Sequence, residues 1–129
     1  MLTETQKNAL ADLARRHNWR LAVLFGSAAH GEGRDVDIAV VPAAMPDLRE
    51  QAGWQVEVEE IVAPKPLDLL VAGDNLSPVT RFEVFCKGAC LYERAPGMFD
   101  REFDRAFFLY ADSEKFRRAL HEQLHETNA

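Results

Sequence analysis

Two aspartates in the sequence are spaced so that they could bind metal ions together. Asp35 and Asp37 open an apolar run that ends at Val41, and such a run predicts a strand. Residues i and i+2 of a strand point to the same face, about 6.6 Å apart at roughly 3.3 Å per residue. Carboxylates at this separation can bind two divalent ions about 3.5–4 Å apart, the arrangement that enzymes use for phosphoryl and nucleotidyl transfer.

A Gly-Ser pair precedes these aspartates and follows another apolar stretch. Gly26 can adopt a backbone conformation closed to other residues, and it lets a ligand approach the main chain closely. Ser27 stands where a helix can begin, so its hydroxyl and the free N–H groups could bind an anion. Arg34 is either a charge partner of the aspartates or a phosphate contact, and the sequence leaves both alternatives open.

The hydrophobic pattern predicts the elements that would position these residues. It indicates an α/β fold, a small mixed sheet with packed helices. Helices are predicted at about residues 4–17, 28–30, 47–63, 77–88 and 100–126, the last with a possible break near Asp112-Ser113. Strands are predicted at 19–25, 36–41, 67–71 and 89–93.

A charged residue lies inside the third predicted strand. Asp68 is flanked by Leu67 and Leu69, and a charge in such surroundings is rarely buried without a partner. Carboxylates about 5 Å apart repel by roughly 3 kcal/mol at an effective dielectric near 20. If Asp68 joined the first two on one face, the three would therefore require cations. The alternative for Asp35 and Asp37 is a solvated turn before a strand.

Size and charge narrow the function classes. The 129 residues predict a single domain spanning 1–129, and the 15 basic and 21 acidic residues give a net charge of −6. This charge argues against direct nucleic-acid binding through a broad basic surface. With no apolar run of about 18 residues and no signal-peptide core, we expect a cytoplasmic protein without a membrane segment. Cys86 and Cys90 are then predicted to be reduced, buried thiols rather than zinc ligands.

A His-Glu-x-x-His pattern near the C-terminus could be mistaken for a zinc protease motif. His121 and His125 would lie on one face of a helix with Glu122 between them. A catalytic zinc site also needs a third ligand and a substrate cleft, and only four residues follow His125 in the sequence. The pattern is therefore interpreted as a solvated helix end.

Taken in order, these motifs resemble the signature of the nucleotidyltransferase superfamily. Gly26-Ser27 followed by Asp35-x-Asp37 is similar to its hallmark, and Asp68 matches the position of its third carboxylate. The short chain resembles the minimal nucleotidyltransferase (MNT) proteins, antitoxins paired with HEPN-domain toxins. The resemblance runs from the first helix through Tyr92-Glu93. The seven residues between Ser27 and Asp35 are fewer than is usual in the family.

The resemblance implies a polymerase β-like fold and a magnesium-dependent transfer of AMP from ATP to a hydroxyl, a tyrosine of a partner HEPN toxin. Asp35 and Asp37 would bind two Mg²⁺. Asp68 would complete the metal-binding carboxylates and help to deprotonate or position the attacking hydroxyl. Gly26 and Ser27 would hold the β- and γ-phosphates, and Arg34 would be a further contact to the nucleotide.

Other functions remain open from the sequence. The chain could be an inactive member that neutralises a toxin by covering it. A small-molecule nucleotidyltransferase of the aminoglycoside-modifying type fits less well, because such enzymes usually need a further substrate-binding domain. A homo- or hetero-oligomer is possible in either case. The consecutive residues Phe107, Phe108 and Leu109 cannot all face inward on one helix, so they predict either a protein interface or burial between the sheet and another helix.

Overall fold

The computed structural model describes residues 2–30 and 34–127. Helices and strands alternate along most of this part of the chain, as the hydrophobic periodicity predicts. In chain order the elements are α1 (Glu4–Arg16), β1 (Leu21–Phe25), a 3₁₀ turn (Ser27–His30), β2 (Val36–Val41), α2 (Leu48–Val62), β3 (Leu67–Val71), α3 (Pro78–Phe85), β4 (Ala89–Glu93) and α4 (Met98–Thr127).

The four strands form one mixed sheet in the order β3-β2-β1-β4. β1 pairs antiparallel with both β2 and β4. β2 and β3 run parallel, because α2 carries the chain back across the sheet between them, as a parallel connection requires. The predicted small mixed sheet with packed helices is therefore confirmed.

The sheet is covered by helices on both faces. One face packs against α1 and α2, with Leu10, Leu13 and Val58 in the shared core. The other packs against α3 and α4 through Val84, Phe85 and other residues. β1 lies between these layers and is buried from Leu21 to Leu24. Its unbroken apolar run follows from this position, since a strand covered on both faces needs no polar alternation.

Side-chain caps fix where the helices begin. The Thr3 hydroxyl accepts a hydrogen bond from the Gln6 backbone N–H, and the Gln6 side chain accepts one from the Thr3 backbone N–H, which completes the predicted capping box. The Ser77 hydroxyl caps α3 by accepting a hydrogen bond from the Thr80 backbone N–H, and Pro78 follows in the first turn. These local signals explain why both N-termini were predicted within a residue or two.

The buried face of α2 differs from the prediction. The helical periodicity of residues 47–63 predicts that Leu48 and Ala52 point inward together with Val58, Ile61 and Val62, yet Leu48 and Ala52 are exposed, Leu48 by 86%. Val58 and Val62 are buried as predicted, and the third buried residue is Trp54. The reason is an aromatic contact outside α2: the Trp54 ring lies 5.2 Å from that of Trp19 and sets the rotation of the helix.

The α3 prediction is also wrong in its details. The helical periodicity of residues 77–88 predicts Val79, Phe82, Phe85 and Cys86 on one buried face. Phe85 is buried as predicted, but the other buried residues are Arg81 and Val84, while Val79 is 44% exposed. The buried face of α3 is therefore rotated about the helix axis relative to the prediction, and it includes a charged residue.

Two predictions for the second half of the chain are corrected as well. The expected break near Asp112-Ser113 is absent, because α4 is continuous from Met98 to Thr127. Cys90 is an exposed free thiol and not a buried one, whereas Cys86 is partly buried. Among residues 2–30 and 34–127, no helix has both the length and the apolar character needed to span a bilayer.

The two faces of α2 give a direct stability test. Trp54→Ala removes a side chain that is 6% exposed and should lower the free energy of unfolding by about 3–5 kcal/mol, because it leaves a cavity beside Trp19. Leu48→Ala, on the exposed side of the same helix, is the matched control and should change it by less than about 0.5 kcal/mol. Urea unfolding followed by circular dichroism measures both. Equal effects would contradict this orientation of α2.

Candidate functional site

The pairing of β2 with β3 places two predicted site residues side by side. In the parallel register Asp37 is the partner of Asp68, and on its other side Asp37 is the antiparallel partner of Phe25. Neighbouring strands lie about 4.8 Å apart, and directly paired residues point to the same face of a sheet. The carboxylates of Asp37 and Asp68 therefore share the face on which α3 and α4 pack.

Gly26 allows one of these carboxylates to close onto the backbone at the end of β1. Its φ of +70° lies in the left-handed region, which glycine adopts without the strain that a Cβ causes. A Cβ built on Gly26 would overlap the Asp37 carboxylate oxygen Oδ2. Position 26 therefore requires glycine for both its backbone conformation and the space that Asp37 occupies.

Asp37 lies in an unfavourable electrostatic environment for a charged carboxylate. Partial burial raises its pKa above the ordinary value of 3.8, and the negative charges of Asp68 and then Asp35 raise it further. Asp35 lies in the bend just before β2, and both it and Asp68 are exposed. None of the three carboxylates forms an ion pair with a described residue. Among the described residues, no basic side chain is therefore paired with these carboxylates to relieve their repulsion.

An open cleft of about 330 Å³ adjoins the paired aspartates. Its lining residues come from three strands and from α3: Phe25, Asp37, Asp68, Leu69, Leu70 and Thr80. The Thr80 hydroxyl accepts a hydrogen bond from Ser77 Oγ at 3.0 Å.

Phe25 and Thr80 were not recognised as site residues from the sequence. Phe25 could have been found, since it is the residue just before Gly26. Thr80 carries no signal, because its position depends on how α3 crosses the sheet.

The remaining predicted site residues are not among those that line this cleft. Ser27 is exposed and opens the 3₁₀ turn, in which the Ala29 N–H donates to the Gly26 carbonyl at 3.2 Å. Arg34 is exposed and makes no ion pair with Asp35, Asp37 or any other described carboxylate. Residues 31–33 and the side chain of His30 lie outside the described part of the chain.

The chemistry of the three carboxylates fits a hard divalent cation, although they do not form a ready-made metal site. Magnesium prefers oxygen ligands and usually binds through one or two carboxylates together with substrate phosphates. Within residues 2–30 and 34–127, no three His, Cys, Asp or Glu side chains are grouped closely enough to hold a metal ion by themselves. His121 of the zinc-like motif is exposed on α4, and the side chain of His125 lies outside the described residues.

Solved structures with the same fold include toxin–antitoxin complexes. A tri-AMPylated Shewanella oneidensis HEPN toxin in complex with MNT antitoxin contains a chain that is 20% identical, with a TM-score of 0.71, and the match covers 93% of this chain and 96% of that one. A toxin–antitoxin with AMP-PNP gives 21% identity and a TM-score of 0.73, with 92% and 98% covered. The MntA-HepT complex gives 19% identity and a TM-score of 0.72, and the match covers 95% of this chain and 99% of that one.

At these identities the likeness establishes the fold. The predicted resemblance to MNT proteins is therefore confirmed for the fold. Among curated proteins, no sequence relative matches this chain. The family model described as Polymerase beta, Nucleotidyltransferase matches residues 8–97. This range runs from α1 through β4 and includes Gly26, Asp37 and Asp68, so the match covers the whole sheet and the cleft beside it. The chain belongs to the polymerase beta nucleotidyltransferase family.

Proposed function

We propose that this protein transfers AMP from ATP to a tyrosine hydroxyl of a HEPN-type toxin and thereby acts as its antitoxin. The observation that carries the proposal is the pairing of Asp37 with Asp68 above Gly26, beside an open cleft, in a chain of the nucleotidyltransferase family. Carboxylates that repel one another at a ligand-accessible face are costly for folding alone, but they suit a site that receives metal-bound phosphates.

Each site residue has a role that agrees with its position. Asp35, Asp37 and Asp68 would bind Mg²⁺, which when bound neutralises the triphosphate and orients the α-phosphate for in-line attack. Gly26 lets the β- and γ-phosphates approach the backbone, and Ser27 offers them its exposed hydroxyl. Asp68, exposed on the edge strand β3, would accept the proton of the incoming hydroxyl or orient it.

Arg34 is assigned to the nucleotide. The sequence left two roles for this residue, and an ion pair with the aspartates is not observed among the described residues. An exposed guanidinium next to Asp35 remains able to contact a phosphate bidentately.

A folded protein is a suitable acceptor for such a small catalyst. One solved complex with the same fold contains a HEPN toxin, and that toxin is tri-AMPylated. An adenylyl group on a tyrosine adds negative charge and bulk, and both oppose the binding of an RNA backbone. A toxin that presents its own hydroxyl removes the need for a second substrate domain. We therefore propose that residues 1–129 act as one catalytic domain, in the cytoplasm, within a hetero-oligomer with the toxin.

The transfer itself is tested by the intact mass of the partner. After incubation with this protein, ATP and Mg²⁺, the HEPN partner should gain one or more AMP units. The double variant Asp35→Ala/Asp37→Ala should abolish the gain, and Asp68→Asn should bind nucleotide but fail to transfer. Asp12→Asn, on the exposed side of α1, is the control and should transfer normally. An unmodified partner that is nevertheless inhibited in a stable complex would establish the inactive, covering mode instead.

The repulsion among the carboxylates is tested by measuring the free energy of unfolding as a function of pH. Because the folded state raises the pKa of Asp37, charging this group destabilises the fold as pH rises from about 3.8 through the raised pKa. Asp37→Asn should therefore be more stable than wild type at pH 7, and the gain should shrink as pH falls toward 4. Asp12→Asn again serves as the control in chemical unfolding.

Magnesium with ATP should stabilise the wild type but not Asp37→Asn. A wild type that gains as much stability from ATP in EDTA would contradict the metal assignment.

The partner surface is predicted to include the exposed aromatic residues of α4. Phe107 and Phe108 are 51% and 66% exposed, which excludes the alternative of full burial within this chain. Phe107→Ser/Phe108→Ser should weaken binding to the HEPN partner about tenfold or more, because aromatic side chains often dominate interface energies. Val56→Ser, a change at an exposed apolar residue of α2, should bind as wild type does. Equal affinity of the two variants in calorimetry would reject this surface.

A further inference from the structure

A second pocket lies at the opposite end of β2 and β3 from the paired aspartates. It encloses about 200 Å³ between the segments that follow the two strands, residues 42–45 and 72–74, and the helices α3 and α4. Val41, at the end of β2, forms part of its wall. Four residues of extended strand separate Val41 from Asp37, which corresponds to about 13 Å. The pocket is therefore distinct from the cleft at the start of these strands.

Three arginines line this pocket: Arg20, Arg81 and Arg105. Arg81 is the buried one, with 5% of its surface exposed. Its nearest charged partner is Glu102, whose Oε2 lies 3.6 Å from Arg81 Nη1, too far for a hydrogen bond. A guanidinium carries five N–H donors, and those of Arg81 make no hydrogen bond with a described residue. Among the described residues, the only sealed side-chain nitrogen or oxygen without a partner is Trp19 Nε1. The Arg81 donors are therefore open to the pocket, where no protein acceptor from that part of the chain occupies them.

The charge balance of the pocket favours an anion. Arg20 and Arg105 are exposed, and neither forms an ion pair with a described residue. The carboxylates in the lining are Glu102 and Asp74, so three guanidinium groups stand against two carboxylates. This local excess of positive charge occurs in a chain whose net charge is −6.

We propose that this pocket binds a small oxyanion of the phosphate or carboxylate type. The planar fork of a guanidinium matches both groups with paired, charge-assisted hydrogen bonds. The volume of about 200 Å³ is below the roughly 300–1,000 Å³ of pockets for drug-sized ligands, so it matches a small anion. The anion supplies the acceptors that Arg81 lacks, while Arg20 and Arg105 close over it from the rim.

The test is a titration of the full chain, labelled with ¹⁵N, in which the arginine side-chain N–H signals are followed by NMR at constant ionic strength. Inorganic phosphate and succinate are added in separate experiments with chloride as the balancing anion. A saturable shift of the Arg81 signal is expected with at least one of them. Saturation by phosphate alone assigns a phosphate-type ligand, and saturation by succinate alone assigns a carboxylate-type ligand.

Variants at the rim keep the result interpretable if replacing the buried Arg81 prevents folding. Arg20→Gln and Arg105→Gln should each raise the dissociation constant about tenfold, the loss expected for a charge-assisted contact. Arg49→Gln, on the exposed part of α2, is the control and should leave it unchanged. Asp37→Asn should also leave it unchanged, which separates this site from the proposed triphosphate site. No saturable shift with either anion, or wild-type affinity in both rim variants, overturns the proposal.

Discussion

The parallel pairing of β2 with β3 is the constraint on which the arrangement of the site depends. It requires a crossover connection, and α2 with its flanking segments provides one. In this register Asp37 stands beside Asp68. A shift of one residue would turn Asp68 to the opposite face, where α1 and α2 pack and a carboxylate would have to be buried in the apolar core. Asp68 is the single charged residue of an otherwise apolar strand, so the register that packs the sheet also fixes the position of the carboxylate.

The same pairing has an energetic cost that packing alone does not explain. Asp37 is partly desolvated and lies near two other negative charges, and its carboxylate is accommodated only because Gly26 has no Cβ. Unfavourable local arrangements of this kind persist where the surrounding packed structure holds the residues in place. Here the support comes from β1, whose residues from Leu21 to Leu24 are buried on both sides of the sheet. A rigid central strand therefore holds Gly26 beneath a carboxylate that would otherwise move away.

The sequence predicted the features that depend on local pattern. The four strands follow from their apolar runs, and Thr3 and Ser77 mark helix starts by capping. The pairing of Asp37 with Asp68 could be anticipated only through the order of the motifs, because its register is a contact between distant parts of the chain. The roles of Asp35, Asp37, Asp68, Gly26, Ser27 and Arg34 in catalysis and binding remain predictions.

The errors arose where a helix orientation depends on residues far away in the chain. Trp54 turns inward because it meets Trp19, thirty-five positions earlier. Arg81 is tolerated on the buried face of α3 because Glu102, on α4, lies nearby. Neither partner is visible from the periodicity of the helix itself.

The last helix divides into two parts with different physical roles. Ala106 is fully buried, and Tyr110 stacks on Phe82 with ring centroids 4.3 Å apart, so the first part of α4 belongs to the core. With 30 residues the helix is about 45 Å long, and its second part exposes Leu120 and Leu124. Isolated helical segments of that size are marginally stable in water. Contact with a partner would therefore stabilise the second part of α4. The sheet that holds the carboxylates does not depend on that contact for its stability.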